Sequence, residues 1–181
     1  MLEVCKLGDD VLREECKEIS KFDSALKMLS DAMVETLIDQ AGVGLAAPQV
    51  GVSQKLFVVK LPNEEPIVFV NPEIIETSVE TGPYQEGCLS IPGIYHEVIR
   101  PMGVKIQAQD VKGKPFVIDA KGLLARVIQH ENDHLHGKLY IDYLDPDEKE
   151  RMIKLYEKKN KSKKRHLRKV CCKFYMQQQI I

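Results

Sequence analysis

No window of the sequence approaches the roughly 20 consecutive apolar residues that a bilayer-spanning helix needs, so no membrane span is expected. The N-terminus, MLEVCKLGDDVLREECKEI, alternates apolar and charged residues. It has neither the basic-then-apolar order of a secretory signal nor the Arg/Ser-rich, acid-poor character of a transit peptide. The five cysteines, Cys5, Cys16, Cys88, Cys171 and Cys172, are odd in number and lack the spacing of a disulfide framework. That points to a reducing compartment and a cytoplasmic location. Internal repeats are lacking, and so is a phosphate loop: the small-residue run AGVGLAAPQVG has no Lys-Ser/Thr ending and no following helical pattern.

A chain of 181 residues with 44% hydrophobic content can bury one core without disulfides, so a single domain is expected. Its net charge of -1 hides an asymmetry: residues 151–181 carry eleven Lys/Arg against the single acid Glu157, for +10, which leaves -11 on residues 1–150. The expected division is an acidic body, 1–150, and a basic C-terminal helix and tail, 151–181, within the same domain. A stretch such as KKNKSKKRHLRK fits a solvated helix end as well as a surface facing nucleic acid.

Apolar residues at Phe22, Ala25, Leu26, Leu29, Met33 and Leu37 recur at helical intervals. They predict an amphipathic helix over 24–40 that ends at Ala41-Gly42, with glycine taking the left-handed cap. From there to about Ala120 the runs KLFVVK, IVFVN, IIETSV, HEVIR, VKIQAQ and FVIDA are short and β-branched. LPNEEP, TGPY, IPG, RPMG and VKGKP between them read as turns, too short for helical crossovers, which predicts antiparallel strands. After Gly122, Leu123, Leu124, Val127, Ile128, His130 and His134 follow a helix that stops at Gly137. KLYIDYL reads as a short strand, and Asp145-Pro146 opens a final helix. The class is α+β: antiparallel sheets around a central helix, with an N-terminal and a C-terminal helix.

The central helix carries QHENDHLHG, which holds three of the five histidines. One turn apart, His130 and His134 have Cβ atoms about 5–6 Å from each other on one face, so both imidazoles can reach one metal ion. Glu131, next around the helix, can reach a water on that ion without being a ligand; this is the HExxH pattern. A histidine pair used as hydrogen-bonding core residues fits the same spacing. His136 lies on the far side, where a helix C-terminus favours a protonated histidine. A catalytic zinc-like centre has three protein ligands and an open position. Candidates for the third are Asp142, Asp145, Asp147 and Glu148 downstream, or Cys88 in QEGCLSIPG upstream.

Taken together, GVGLAAPQ (42–49), EGCLS (86–90) and QHENDH (129–134) resemble, in order, the three motifs of the peptide deformylase family, over roughly residues 1–150. The resemblance implies a cytoplasmic metal-dependent hydrolase of protein biosynthesis, removing the formyl group from the initiator methionine of nascent polypeptides and releasing formate. It implies Cys88, His130 and His134 as ligands of one divalent ion, Fe(II) natively, with Zn, Ni or Co as substitutes. Hydroxide on that metal would attack the formyl carbon, with Glu131 as general base and then general acid. The Gln49 side-chain amide and the Leu89 backbone N–H would hold the oxyanion. Val43 and Gly44 would pair with the extended peptide, and Leu123, Val127 and the stem of Arg126 would line the methionine slot. Glu86 would orient a ligand histidine. In related enzymes a C-terminal helix contacts the ribosome, which implies a ribosomal RNA partner for the basic segment. The chain departs from many bacterial members at Tyr95 in IPGIYHEV, where they carry arginine, and in its tail, RKVCCKFYMQQQII.

Overall fold

Asp23 starts the first helix by accepting hydrogen bonds from the backbone N–H groups of Ala25 at 3.0 Å and Leu26 at 3.1 Å, an N-cap that satisfies two otherwise unpaired donors. This helix, α1 (Ser24–Asp39), belongs to a computed structural model that describes residues 1–160. The expectations placed on Cys171-Cys172 and on the rest of the basic tail lie outside the described residues. At the end of α1 it is Ala41, at φ 50°, that takes the left-handed position expected of Gly42. Gly42 is small for another reason: a Cβ there would lie 2.7 Å from Leu37 Cδ1.

Seven strands follow: β1 (Gly44–Ala46), β2 (Leu56–Val59), β3 (Ile67–Thr77), β4 (Thr81–Cys88), β5 (Ile91–Pro101), β6 (Gly103–Gln109) and β7 (Pro115–Lys121). All pairings between them are antiparallel, in a five-stranded sheet of order β1-β2-β3-β6-β7 and a separate β4-β5 hairpin. The central helix α2 (Gly122–Leu135) packs on one face of the large sheet and α1 on the other. Strand β2 is buried throughout because it serves both faces: Phe57 and Val59 meet α2, while Leu56 and Val58 meet α1. Phe57 stacks on its cross-strand partner Phe69 at 4.6 Å. A third helix, α3, runs from 146 to 160 within the described residues. It closes a smaller core of Ile91, Ile94, Val98, Tyr140, Met152 and Tyr156. The α+β class is as expected, and no helix of the described residues is long and apolar enough to cross a membrane.

Three local expectations give way. IVFVN and IIETSV form one strand, β3, because Asn71 (φ 48°) and Pro72 bend it without ending it. The Asn71 amide replaces the interrupted ladder, accepting from Ile19 N–H and donating to Ile19 C=O, each at 2.8 Å. TGPY and IPG, expected as turns, lie inside β4 and β5, where the edges of a hairpin tolerate Pro83 and Pro92; the turn itself falls at Leu89-Ser90. KLYIDYL is not a strand; its centre is a 3₁₀ turn, Tyr140–Tyr143. The Asp142 carboxylate accepts Leu139 N–H at 2.8 Å, a local bond that competes with extension. The Tyr140 hydroxyl donates to Ile94 C=O at 3.0 Å, which pins the turn to β5.

Asp142 also ties this turn to the rest of the chain through Arg13 and Lys149. Burial would raise its pKa, but the hydrogen bonds from Arg13, Lys149 and Leu139 N–H outweigh that and hold it below the ordinary 3.8. A carboxylate depressed in the folded state stabilises it above the unfolded pKa and loses that effect as pH falls through the folded value. Asp142→Asn is therefore expected to lower stability near neutral pH and to flatten the acid limb below about pH 4. Urea unfolding at pH 6 and pH 3 checks this; an unchanged acid limb would contradict it.

Candidate metal centre

α2 presents His130 and His134 one turn apart, with ring centroids 5.1 Å from each other. Cys88 reaches them from the end of β4, its Sγ 3.3 Å from His134 Nε2. The candidate ligand atoms of Cys88, His130 and His134 all lie within 4.8 Å of one another, so they can converge on one cation. The downstream carboxylates do not join them: Asp142 is engaged by Arg13 and Lys149. Burial alone would raise the Cys88 thiol, yet the neighbouring imidazoles of His134 and His130 bring it well below its ordinary value. Burial would likewise lower His130, but Cys88 and Glu86 hold it well above its ordinary value. The same negative field that draws protons to this spot suits a divalent ion.

Glu86 orients the histidine. His130 Nδ1 donates to Glu86 Oε2 at 2.8 Å, which leaves Nε2 free to act as a donor atom toward a metal. Burial opposes a charged Glu86, but His130 and Arg100 overcome it and bring its pKa down to about 2. Arg100 Nε donates to Oε1 at 2.7 Å and Nη2 to Oε2 at 3.0 Å, the fork geometry of a strong pair. Its third nitrogen, Nη1, donates to Asp133 on α2 at 2.6 Å, and the guanidinium lies 4.4 Å from the Tyr143 ring centroid. Arg126 adds bonds to Glu86 Oε1 at 3.1 Å, Val98 C=O at 3.0 Å and Gly82 C=O at 2.7 Å. Its head thus locks α2 to the hairpin while the residue also lines the cavity.

A cavity of about 410 Å³ opens over the cluster. Val43, Gly44, Gln49, Glu86, Cys88, Leu89, Leu123, Arg126, Val127, His130 and Glu131 line it; His134 lies behind Cys88. Gln49 is 1% exposed, and its amide has a fixed sense. Oε1 accepts Ala46 N–H at 2.8 Å, so the NH₂ end faces Cys88 Sγ and Ser90 Oγ, each at 3.3 Å. Glu131 is 4% exposed, and its Oε2 has no hydrogen-bond partner among the described residues. Burial pushes its pKa up to about 7, with His130 and His134 pulling the other way. Gly44 makes room for it, since a Cβ there would overlap the Glu131 carboxylate. Tyr95 stands at the rim, its ring so close over Gly87 that a Cβ on that glycine would be 2.5 Å from it.

His136 caps α2 and pairs with Glu15 at 2.7 Å, outside the cavity. His96 is likewise outside, bonded to the Glu97 carbonyl at 2.9 Å. Arg100 lies outside every motif, and Ser90, though inside EGCLS, has no role expected of it. One signal for Arg100 exists: Ile94, Val98 and Arg100 share the inward parity of β5, and an arginine on a buried face needs a carboxylate.

The polypeptide deformylase family model matches residues 1–150. The chain is 47% identical over 145 residues to a peptide deformylase of Prochlorococcus marinus, covering 78% of this chain and 72% of that one. To a peptide deformylase of Borreliella burgdorferi it is 46% identical over 156 residues, covering 86% and 94%. Its structure is similar to the crystal structure of a peptide deformylase from Legionella pneumophila, with a TM-score of 0.87 and 41% identity over 91% of this chain and 98% of that one. Fold, cavity and sequence agree: the chain belongs to the polypeptide deformylase family.

Proposed function

We propose that Cys88, His130 and His134 would hold one divalent metal ion and that Glu131, Gln49 and Leu89 carry the hydrolysis of a formyl amide. The reaction is that of the family: the N-formyl group leaves the initiator methionine of a nascent polypeptide as formate. The observation that carries the assignment is the convergence of a thiolate and two imidazoles beneath a cavity floored by the buried Glu131 carboxylate, whose Oε2 has no hydrogen-bond partner among the described residues. Three protein donors leave a coordination position open. Fe(II) is the native ion in this reading, with Zn, Ni or Co as substitutes that the mixed sulfur and nitrogen set also suits. When bound, the ion supplies Lewis-acid activation of water near neutral pH.

Glu131 Oε2 takes the proton of the attacking water and returns it to the departing α-amine. A pKa of about 7 suits both transfers, since a carboxyl poised there accepts and donates at comparable cost. The Gln49 NH₂ and the Leu89 N–H donate to the oxygen that gains charge as the carbonyl becomes tetrahedral. Edge strand β1 supports main-chain pairing of an extended peptide at Val43 and Gly44. The methionine side chain then lies between Leu123, Val127 and the stem of Arg126, an apolar wall matched to an unbranched thioether. The cytoplasm, where nascent chains emerge, is the location this reading assigns.

Protein purified without oxygen and loaded with Fe(II) is expected to release formate from formyl-Met-Ala-Ser and to leave Met-Ala-Ser and longer unformylated peptides intact. Internal cleavage without formate release would instead assign the centre to an endopeptidase, the other chemistry that HExxH supports.

A further inference from the structure

Residues Cys5 to Leu7 lie against both segments that carry the proposed oxyanion donors. Cys5 N–H donates to the Gln49 carbonyl at 2.7 Å, and Leu7 N–H donates to the Ser90 carbonyl at 2.9 Å. Between them, Lys6 Nζ donates to the Leu89 carbonyl at 2.9 Å. Leu89 and Ser90 form the turn between β4 and β5, across which Cys88 pairs with Ile91. In so tight a turn the central peptide, here the Leu89 carbonyl with the Ser90 N–H, can rotate between alternatives unless something holds it. Ser90 is held by other bonds, the one from Leu7 N–H to its carbonyl and the 3.3 Å contact from Gln49 Nε2 to its Oγ. Lys6 is the one residue of the 5–7 segment whose side chain grips the turn's central carbonyl.

We infer that Lys6 is a positioning residue for the oxyanion site: by holding the Leu89 carbonyl it fixes the backbone of the 88–91 turn at Leu89, and through it the preceding peptide, which carries the Leu89 N–H. Lys6 is not among the residues that line the cavity. The inference rests on the oxyanion roles proposed above for Leu89 and Gln49. A loosened donor costs less than an absent one, so the effect is a fraction of the about 10²–10³-fold that removal of an oxyanion donor costs.

The test uses full-length, metal-loaded protein with Lys6→Met, which keeps the apolar stem and loses the donor, and Lys6→Arg, which restores one. Expected for Lys6→Met are a fall in kcat of about five- to twenty-fold, a KM for formyl-Met-Ala-Ser within about two-fold, and undiminished metal content. Lys6→Arg is expected to recover most of the lost kcat. In the zinc-loaded protein, amide hydrogen exchange at Leu89 and Ser90 should be faster in Lys6→Met, a signature that general loss of stability confined elsewhere does not produce. A kcat within about two-fold of the parent, no rescue by arginine, or a loss that follows metal content overturns the inference. Lys6→Gln, which keeps a neutral donor on a shorter stem, carries the same readouts should Lys6→Met fail to fold. If the parent protein itself releases no formate, it is the reaction assignment that fails; full kcat in Lys6→Met overturns the Lys6 role alone.

Discussion

Glu131→Gln is expected to lower kcat for formate release by about 10²–10⁴-fold, the range that a positioned general base contributes. Metal content and KM should stay close to those of the parent. Glutamine has nearly the same shape, so the space that Gly44 leaves for residue 131 remains filled and the cavity keeps its form. What is lost is the ability to accept a proton at Oε2, the buried oxygen with no partner among the described residues. Glu131→Asp separates chemistry from place, because it keeps the carboxyl but withdraws it by one methylene. A glutamine variant that holds its metal and loses less than about tenfold in kcat would show that the proton is carried elsewhere.

Arg100→Met is expected to destabilise the fold by about 3–5 kcal/mol, the cost of leaving buried charges without their partner. Arg100 is 3% exposed, and it neutralises Glu86 on the hairpin and Asp133 on α2 at once. Without it Glu86 keeps Arg126 and His130, while the Asp133 carboxylate retains, among the described residues, the Tyr143 hydroxyl at 3.1 Å. Unfolding in urea should be followed in saturating chelator for both proteins, because bound metal adds stability by mass action and would blur the comparison. A second effect follows through Glu86, which fixes the tautomer and plane of His130: metal affinity should fall about 10–100-fold. A stability change below about 1 kcal/mol would mean that the attraction in this network only offsets its desolvation cost.

The candidate site was legible in the sequence as three short motifs: one helical pattern supplies the histidine pair, and the resemblance of all three in order adds Cys88 and Gln49. His130, Glu131 and His134 are fixed relative to one another by one helical turn, and Cys88-Leu89 by adjacency. The tertiary brackets around them were not legible. Arg100 meets Asp133 across 33 positions, and Lys6 meets Leu89 across 83, with no periodicity to announce either contact. Strand boundaries failed where side chains took over backbone work. Asn71 carries β3 through the bend that joins IVFVN to IIETSV, and Asp142 turns a β-like sequence into a 3₁₀ segment. The run KLYIDYL buries Tyr140 and Ile141 in succession, which a one-sided strand does not do.

In the proposed reaction Cys88, His130 and His134 would hold a single ion, and Glu131 would carry the proton for a hydrolysis that depends on it. Metal-free protein titrated anaerobically with Fe(II), with formate release followed at each addition, tests it most directly. Expected are no formate before the first addition, a linear return of activity, a break at one equivalent per chain, and no return in Cys88→Ala. Full activity in the metal-free protein, or in Cys88→Ala, would contradict it.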